Sequence, residues 1–222
     1  MNKTLGKIFD WIVNVVFPPN SVQHKNDEIT SNIAKITPQK GDKVIDYPCP
    51  VYSFFAYREP NVRNMIWRLK YRGDLSIAKL FANKMYDQVA EELAELGEWA
   101  NFREPLLVPI PVSRHKLRLR GFNQSAALCK ALSAIDEGRF FTYTPNVLYK
   151  IKDTTSQARV KDRRLRLQNL KDSFAIKDID LVRDKNIILL DDVLTTGSTL
   201  IEATSTLKKA GANNIIWLVI AH

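Results

Sequence analysis

Hydrophobic residues recur along the chain with the periods of alternating strands and helices. Two continuous apolar runs, 186–190 (NIILL) and 215–220 (IIWLVI), are typical of parallel strands that are buried on both faces. Between these runs, residues 199–210 carry apolar positions at helical spacing, and Gly211 follows them as glycine often follows a helix. The pattern therefore predicts a strand–helix–strand unit.

The same patterns predict elements upstream of that unit. Apolar runs indicate strands, and apolar positions three and four apart indicate helices: strands 51–57, 106–110 and 146–150, and helices 61–71, 75–96 and 123–135. Because strands and helices alternate over 106–222, we expect a three-layer α/β domain with a mostly parallel sheet and helices on both faces. We assign residues 51–222 to this domain. Residues 1–50 are predicted to form an amphipathic helix over 5–16, ended by Pro18, and a polar linker.

Composition restricts the class of protein. The chain has 222 residues, of which 45% are hydrophobic and 26% charged, and its formal net charge is +9. These values exclude a wholly disordered chain, a collagen and a disulfide scaffold, and we expect no membrane span because no apolar run is long enough. The two cysteines, Cys49 and Cys129, form no C-x-x-C pair, which argues against a cysteine zinc site and favours reduced thiols in a cytoplasmic protein.

The residues with the clearest chemistry follow the first apolar run. Asp191 and Asp192 come directly after it and begin a predicted loop over 191–198. Small residues then lead into the predicted helix: Thr195, Thr196, Gly197, Ser198 and Thr199. A helix N-terminus attracts an anion such as a phosphate, and a glycine lets its backbone approach closely. Carboxylates suit sugar hydroxyls, either directly or through a divalent metal. Since a helix cap needs only one such residue, the whole pattern favours a ribose 5-phosphate site.

This stretch resembles the phosphoribosyl pyrophosphate (PRPP) motif of type I phosphoribosyltransferases, which is a hydrophobic strand, two acidic residues and T-T-G-x-T. Residues 108–112 (VPIPV) and 118–124 (RLRGFNQ) look like the ComF/GntX-like branch, the competence-associated, amidophosphoribosyltransferase-like group of that superfamily. Residues 68–74 (RLKYRGD) resemble the upstream element of the same branch, and residues 154–174 resemble its mobile basic segment. The resemblance covers most of residues 51–222 and implies the type I phosphoribosyltransferase fold.

The resemblance implies a role for each candidate residue. Asp191 and Asp192 would be the catalytic pair that contacts the ribose hydroxyls, with Mg²⁺ as the cofactor held by them directly or indirectly, and residues 195–199 would hold the 5′-phosphate. Pyrophosphate would be bound by the loop after the first core strand and by a basic lid: Val112, Ser113, Arg114, Arg159 and Lys161. Residues 51–75 are the candidate hood, the part that selects the acceptor in this superfamily.

One segment departs from the pattern of the branch. Its members often carry a short N-terminal zinc-binding segment with paired cysteines after a Phe-Pro-Pro element. Here Phe17, Pro18 and Pro19 are followed by residues 20–23 (NSVQ), and Cys49 is the only cysteine nearby. We therefore expect the zinc module to be lost or replaced, and we assign no zinc ligand.

Positive charge is concentrated in three segments. Residues 58–72, 114–120 and 150–171 carry net charges of +4, +4 and +6, which together exceed the charge of the whole chain. PRPP accounts for some of these cations, and the surplus leaves room for single-stranded DNA or RNA. The candidates for that contact are in the first segment: Arg63, Arg68, Lys70 and Arg72, interleaved with Tyr57, Trp67 and Tyr71. A solvated helix face with Trp67 in the core explains this segment equally well, whereas the third segment is interpreted as a lid.

Two functions follow from these observations. The first is an enzyme that transfers the 5-phosphoribosyl group from PRPP to an unidentified acceptor and releases pyrophosphate. The alternative is a non-catalytic PRPP- or nucleotide-binding factor that binds single-stranded DNA during DNA uptake and natural transformation. A glutamine-amidotransferase subunit is disfavoured, because the chain carries no N-terminal cysteine nucleophile. The expected partners are PRPP, single-stranded DNA, and either a second copy of the chain or a component of the competence machinery.

Overall fold

The computed structural model describes residues 47–152 and 172–222. The elements of this part follow one another in this order: β1 (Val51–Phe55), α1 (Pro60–Arg72), α2 (Leu75–Trp99), β2 (Leu106–Pro109), α3 (Arg114–Arg120), α4 (Gln124–Asp136), β3 (Thr142–Tyr143), β4 (Leu148–Lys150), β5 (Phe174–Ile176), β6 (Ile187–Val193), α5 (Ser198–Lys209) and β7 (Ile215–Ala221). The predicted N-terminal helix and linker, the zinc segment and the lid cations Arg159 and Lys161 lie outside the described residues.

The central sheet has five strands in the order β1-β7-β6-β2-β3. Every neighbouring pair in it is parallel, so the carboxyl ends of all five strands lie at one edge. The two remaining described strands, β4 and β5, form a separate antiparallel pair. The arrangement confirms the predicted α/β fold with a mostly parallel sheet, and it places the residues after β2 and after β6 side by side.

The core lies on both faces of β6 and β7. All seven residues of β7 are buried, as expected for a continuous apolar run. On one face, Ile187, Leu189 and Trp217 share a cluster with Leu200 and Leu207 of α5, and the indole Nε1 of Trp217 donates to Thr204 Oγ1 at 2.8 Å. On the other face, α4 packs against β2 and β6 and against α2. These contacts make the three layers.

Two segments differ from the pattern-based prediction. Residues 191–193 belong to β6, whereas the sequence predicted a loop from 191 to 198, because β7 continues to pair with them: Asp191 opposes Val219 and Val193 opposes Ala221. Residues 114–120, to which the sequence pattern assigned no element, form helix α3, which begins at Arg114, the last residue of the predicted pyrophosphate loop. The Ser113 hydroxyl caps this helix by accepting from the backbone N–H of Lys116 at 3.3 Å.

The candidate hood divides into two parts. Residues 51–55 form β1, an edge strand of the central sheet that pairs with β7. Helix α1 follows it and packs against α2 and α3. The helix therefore carries the part of the candidate hood that faces the carboxyl edge of the sheet, as Lys70 shows by reaching Asp192.

Candidate functional site

The acidic pair lies at the carboxyl end of β6. Asp191 Oδ1 accepts a hydrogen bond from Ser125 Oγ at 3.1 Å and one from the backbone N–H of Asp192 at 2.9 Å. Asp192 is buried, with 4% of its surface exposed. Its Oδ2 atom has no hydrogen-bond partner among the described residues. A buried carboxylate oxygen without a donor costs free energy, so this atom is suited to receive a donor from a ligand.

Lys70 of α1 supplies the counter-charge of this pair. Its Nζ lies 3.0 Å from Asp192 Oδ1. Burial lowers the pKa of Lys70, but the charge of Asp192 and its hydrogen bond outweigh burial and raise the pKa above its ordinary value. The ammonium group is therefore charged at neutral pH. The sequence placed Lys70 only among the nucleic-acid candidates, whereas in the structure it directly contacts the acidic pair.

Lys116 of α3 is a second cation near the pair. Burial, followed by the charges of Arg120 and Lys70, lowers the pKa of Lys116, while Asp191 and Asp192 act in the opposite direction. Charged side chains of α1, α3 and the end of β6 therefore lie close enough to influence one another's pKa values. Sequence reasoning missed Lys116, because nothing in the pattern of residues 114–120 distinguishes it from the neighbouring cations.

The proton affinity of the pair is unusual. Burial and then the charge of Asp192 raise the pKa of Asp191 to about 7, although Lys70 and the hydrogen bonds from Asp192 and Ser125 lower it. Two carboxylates this close cannot both ionise easily in a buried place, so the pair takes up a proton near neutral pH. Ser125, at the start of α4, is the second functional residue that the sequence did not single out.

The residues between β6 and α5 form the candidate phosphate loop. Gly197 is the N-cap of α5 with φ +69°, and no side chain of the described residues caps the helix through a hydrogen bond at this position. Thr196 Oγ1 and Ser198 Oγ lie 2.9 Å apart and share a hydrogen bond. The first N–H groups of a helix need partners, and the positive end of its dipole attracts anions. The loop can therefore receive a phosphate directly after the acidic pair.

Gly197 has a second role that the sequence did not reveal. A Cβ atom added at this residue would lie 2.4 Å from Cε1 of Tyr47. The Tyr47 ring also packs on the indole of Trp217, with the ring centres 5.2 Å apart. Glycine is thus required here by a positive φ and by the Tyr47 ring, in addition to any close approach of a ligand.

The predicted pyrophosphate loop lines a different cavity. Val112 and Arg114 line a groove of about 500 Å³ that is completed by the β4–β5 hairpin, while Ser113 is buried as the cap of α3. The lining of the groove includes neither the acidic pair nor residues 195–199. The acidic pair is therefore next to the candidate phosphate loop, and Val112 and Arg114 lie in a neighbouring groove.

Most nucleic-acid candidates of α1 already have intramolecular contacts. Arg68 pairs with Asp74 at 2.6 Å, and Lys70 pairs with Asp192. The guanidinium of Arg72 lies 5.3 Å from the ring centre of Trp67. Arg63 is exposed. Phosphate binding by Arg68 or Lys70 would have to displace a carboxylate, which weakens the case for this helix as a nucleic-acid surface.

The described residues contain neither a candidate metal cluster nor a candidate membrane span. Over residues 47–152 and 172–222, no three or more His, Cys, Asp or Glu side chains gather in a way that could hold a metal ion. In the same ranges, no helix has both the length and the apolar character needed to span a bilayer.

Comparisons with known proteins identify the family. Residues 140–222 match the model of the phosphoribosyl transferase domain. The chain is 30% identical over 165 residues to competence protein F of Haemophilus influenzae, a match that covers 72% of this chain and 68% of that protein. It is 28% identical over 159 residues to the DNA utilization protein YhgH of Escherichia coli O6:H1, covering 71% of this chain and 66% of that protein. The chain thus spans about two thirds of the length of these relatives.

A solved hypoxanthine phosphoribosyltransferase from Trypanosoma cruzi is 14% identical, with a TM-score of 0.39 over 65% of this chain and 63% of that one. Because this score is low, the family assignment depends on the sequence matches. Those matches agree with the parallel sheet and with an acidic pair that is followed by a small-residue loop at the end of β6. The chain belongs to the ComF-like family of proteins with the type I phosphoribosyltransferase fold.

Proposed function

We propose that this protein binds PRPP between the acidic pair and residues 195–199, and that it transfers the 5-phosphoribosyl group to an acceptor with release of pyrophosphate. The observation that carries the proposal is the buried Asp192 Oδ2, which lacks a donor among the described residues and lies just before the uncapped start of α5. A ribose hydroxyl can supply that donor, while the 5′-phosphate can accept from the N–H groups of the helix.

The chain's own residues account for most of the proposed chemistry. The bond between C1 of the ribose and the pyrophosphate oxygen breaks, the electron pair leaves with pyrophosphate, and a lone pair of the acceptor forms the new bond to C1. Asp191 and Asp192 hold the hydroxyls and orient the sugar. Lys70 and Lys116 lie near the pair and stabilise the negative charge that develops on the leaving pyrophosphate.

The site also suits Mg²⁺. This ion prefers oxygen ligands and is usually held by one or two carboxylates together with substrate phosphates. Asp191 and Asp192 would hold it, directly or through water, and the ion would neutralise charge on the pyrophosphate when bound. Because Lys70 already pairs with Asp192 Oδ1, the unpartnered Oδ2 is the atom of this residue that fits a further ligand.

The test is titration calorimetry of PRPP with Mg²⁺ present. We expect heat of binding for the natural chain and its loss in Asp192→Asn, with Lys79→Gln, an exposed lysine of α2, as the matched control. Release of pyrophosphate, screened over a panel of nucleobases and amines, then tests transfer. Absence of binding heat in the natural chain would contradict the proposal. Binding without release of pyrophosphate would contradict the transfer step and would identify the protein as a PRPP-binding factor.

A second candidate function is the handling of single-stranded DNA in DNA uptake. The names of the relatives, a competence protein and a DNA utilization protein, favour it, and so does the surplus of positive charge. Both functions can reside in one chain, because PRPP binding uses the edge at β6 and leaves other basic surface available. The cytoplasmic location, the homodimer and a partner in the competence machinery remain predictions.

A further inference from the structure

Residues 118–124 (RLRGFNQ) form a motif to which the proposed PRPP site assigns no role. They comprise the end of α3, a turn and the start of α4. Gly121 ends α3 with φ +78°, and Asn123 is the N-cap of α4. The side-chain oxygen of Asn123 accepts from the backbone N–H groups of Ser125 at 3.0 Å and of Ala126 at 3.4 Å. This cap therefore fixes the position of Ser125 in the first turn of α4.

Asn123 also fastens the turn to the central sheet. Its side-chain nitrogen donates to the carbonyl oxygen of Ile110, directly after β2, at 3.0 Å. The backbone N–H of Ile110 in turn donates to the carbonyl oxygen of Leu190 at 2.9 Å, and Leu190 directly precedes Asp191. The start of α4 is thus connected, through one residue at the end of β2, to the backbone that carries the acidic pair.

Ser125 closes these contacts into a ring. It is fully buried, and its Oγ donates to Asp191 Oδ1 at 3.1 Å. The complete ring of hydrogen bonds and chain consists of Asn123, Ile110, Leu190, Asp191 and Ser125. No member can move without breaking a bond of its neighbour, and a fully satisfied buried network of this kind is rigid.

The ring engages one oxygen of Asp191 and leaves the other. Both donors, Ser125 Oγ and the N–H of Asp192, meet Oδ1, and Oδ2 accepts no hydrogen bond from the described residues. The terminal torsion of an aspartate is intrinsically broad, so hydrogen bonds decide where its two oxygens point. Asp192 has the same arrangement, since Lys70 holds its Oδ1 and its Oδ2 has no described partner. Each carboxylate thus keeps one oxygen for a ligand.

The two segments that hold the acidic pair also contact each other. The guanidinium of Arg120 lies 5.0 Å from the ring centre of Tyr71, at the end of α1. A Cβ atom added at Gly73, the C-cap of α1, would lie 3.4 Å from the ring of Phe122. The end of α1 and the turn before α4 therefore pack on one another, and each segment supplies one of the two side chains that hold a carboxylate.

We propose that Asn123 and Ser125 are positioning residues of the PRPP site and act through Asp191. The ring keeps Asp191 Oδ1 engaged, so that Oδ2 is held in place to accept from a ribose hydroxyl. This inference rests on the proposed PRPP binding and deepens it, because it assigns a role at that site to the motif before α4. Neither residue needs to touch the ligand.

The experiment combines titration calorimetry of PRPP in Mg²⁺ with crystal structures of the same variants without ligand. We expect Ser125→Ala to weaken PRPP binding about tenfold, because a hydrogen bond to a charged group contributes that order of affinity. Its crystal structure should show the Asp191 carboxylate turned, or present in two orientations. Asn123→Ser keeps an N-cap acceptor but loses the donor to Ile110, and it should weaken binding about threefold.

Two controls on α4 separate positioning from a general loss of stability. Ser133→Ala removes a half-buried hydroxyl further along the same helix and should change neither PRPP binding nor the orientation of Asp191. Leu132→Val shortens a fully buried side chain, so it lowers the free energy of unfolding in urea without touching the ring. If Ser125 had only a structural role, Leu132→Val would weaken PRPP binding as Ser125→Ala does. Positioning predicts the natural affinity in Leu132→Val.

Three results would overturn the inference: unchanged PRPP affinity in Ser125→Ala, an equal loss in Leu132→Val, and an Asp191 carboxylate that keeps its orientation in crystals of Ser125→Ala. Unchanged affinity in Asn123→Ser would overturn the part assigned to the anchor on β2. Absence of PRPP binding in the natural chain would contradict the proposed function instead, and the crystal structures would still show whether the ring orients Asp191.

Discussion

The carboxyl ends of two adjacent strands, β6 and β2, present opposite kinds of surface. At β6 the charged groups are buried or half-buried and have partners: Asp192 contacts Lys70 at 3.0 Å, and Asp191 accepts from Ser125. Beside β2 the groove has three cations and a half-exposed tyrosine, with no carboxylate among its described lining residues. The first arrangement keeps its charges in contacts within the fold, whereas the second leaves Lys177 and Tyr149 exposed to solvent.

The difference extends to the helices that follow the two strands. Helix α3 is capped by its own Ser113 hydroxyl, so one of its free N–H groups already has an acceptor. Helix α5 begins at Gly197 with no side-chain cap from the described residues. Of these two helices, only α5 starts without a side-chain acceptor for its N–H groups among the described residues, which leaves them available to a phosphate. We expect single substitutions in the two regions to differ in how much they change the free energy of unfolding.

The largest change in the free energy of unfolding should come from protonation of the acidic pair. Burial and the charge of Asp192 raise the pKa of Asp191 from its ordinary value of 3.8 to about 7. The native state then binds more protons than the unfolded state between these values, so the free energy of unfolding falls as the pH rises through this window. A shift of this size corresponds to about 4 kcal/mol between pH 4 and pH 7. Urea unfolding at several pH values measures it.

The variant Asp191→Asn should remove this pH dependence. Its amide oxygen can still accept from Ser125 Oγ and from the N–H of Asp192, so the local hydrogen bonds remain possible. We expect the variant to be more stable than the natural chain at pH 8 and to differ little at pH 4. An unchanged slope in the variant would show that another group carries the titration.

The second effect tests the ion pair itself. Lys70→Met removes the counter-charge of a buried carboxylate, and such a loss costs about 3 kcal/mol of unfolding free energy. The double variant Lys70→Met/Asp192→Asn should recover part of that loss, because no uncompensated charge is then left at Asp192. Urea unfolding at neutral pH measures both, with Lys79→Met as the exposed control. If Lys70→Met changed the free energy of unfolding no more than this control does, the ion pair would contribute nothing to stability.

The third expected change in stability concerns the loop between β6 and α5. Gly197→Ala places a Cβ 2.4 Å from the Tyr47 ring at a positive φ, and the two strains together should cost about 2 kcal/mol. Tyr47→Ala removes the clash but not the backbone strain. The double variant should therefore lose less free energy than the sum of the single variants. If the losses of the two single variants simply added in thermal or urea unfolding, the Tyr47 ring would be moving away from the new methyl group at no cost.

These contacts explain which parts of the molecule could be predicted from the sequence. The β6–α5–β7 unit was predictable, and so was the position of the small residues 195–199 around the start of α5, because a continuous apolar run and a run of small hydroxyl residues are local signals. The contribution of Ser125 was not, since it lies 66 residues from Asp191 in sequence and meets it only through the packing of α4. Strands β3 and β5 are too short to leave a periodic pattern. The extension of β6 through Val193 depends on pairing with β7.

The smallest change in the free energy of unfolding is expected at the groove. Lys177→Gln removes an exposed cation that has no salt bridge in the part of the chain described here, so the free energy of unfolding should change by less than about 0.5 kcal/mol. A cation that costs stability when removed is part of the fold, as Lys70 should be. A cation whose removal leaves stability intact is available to a partner, and a loss above 1 kcal/mol in Lys177→Gln would place this residue in the first class.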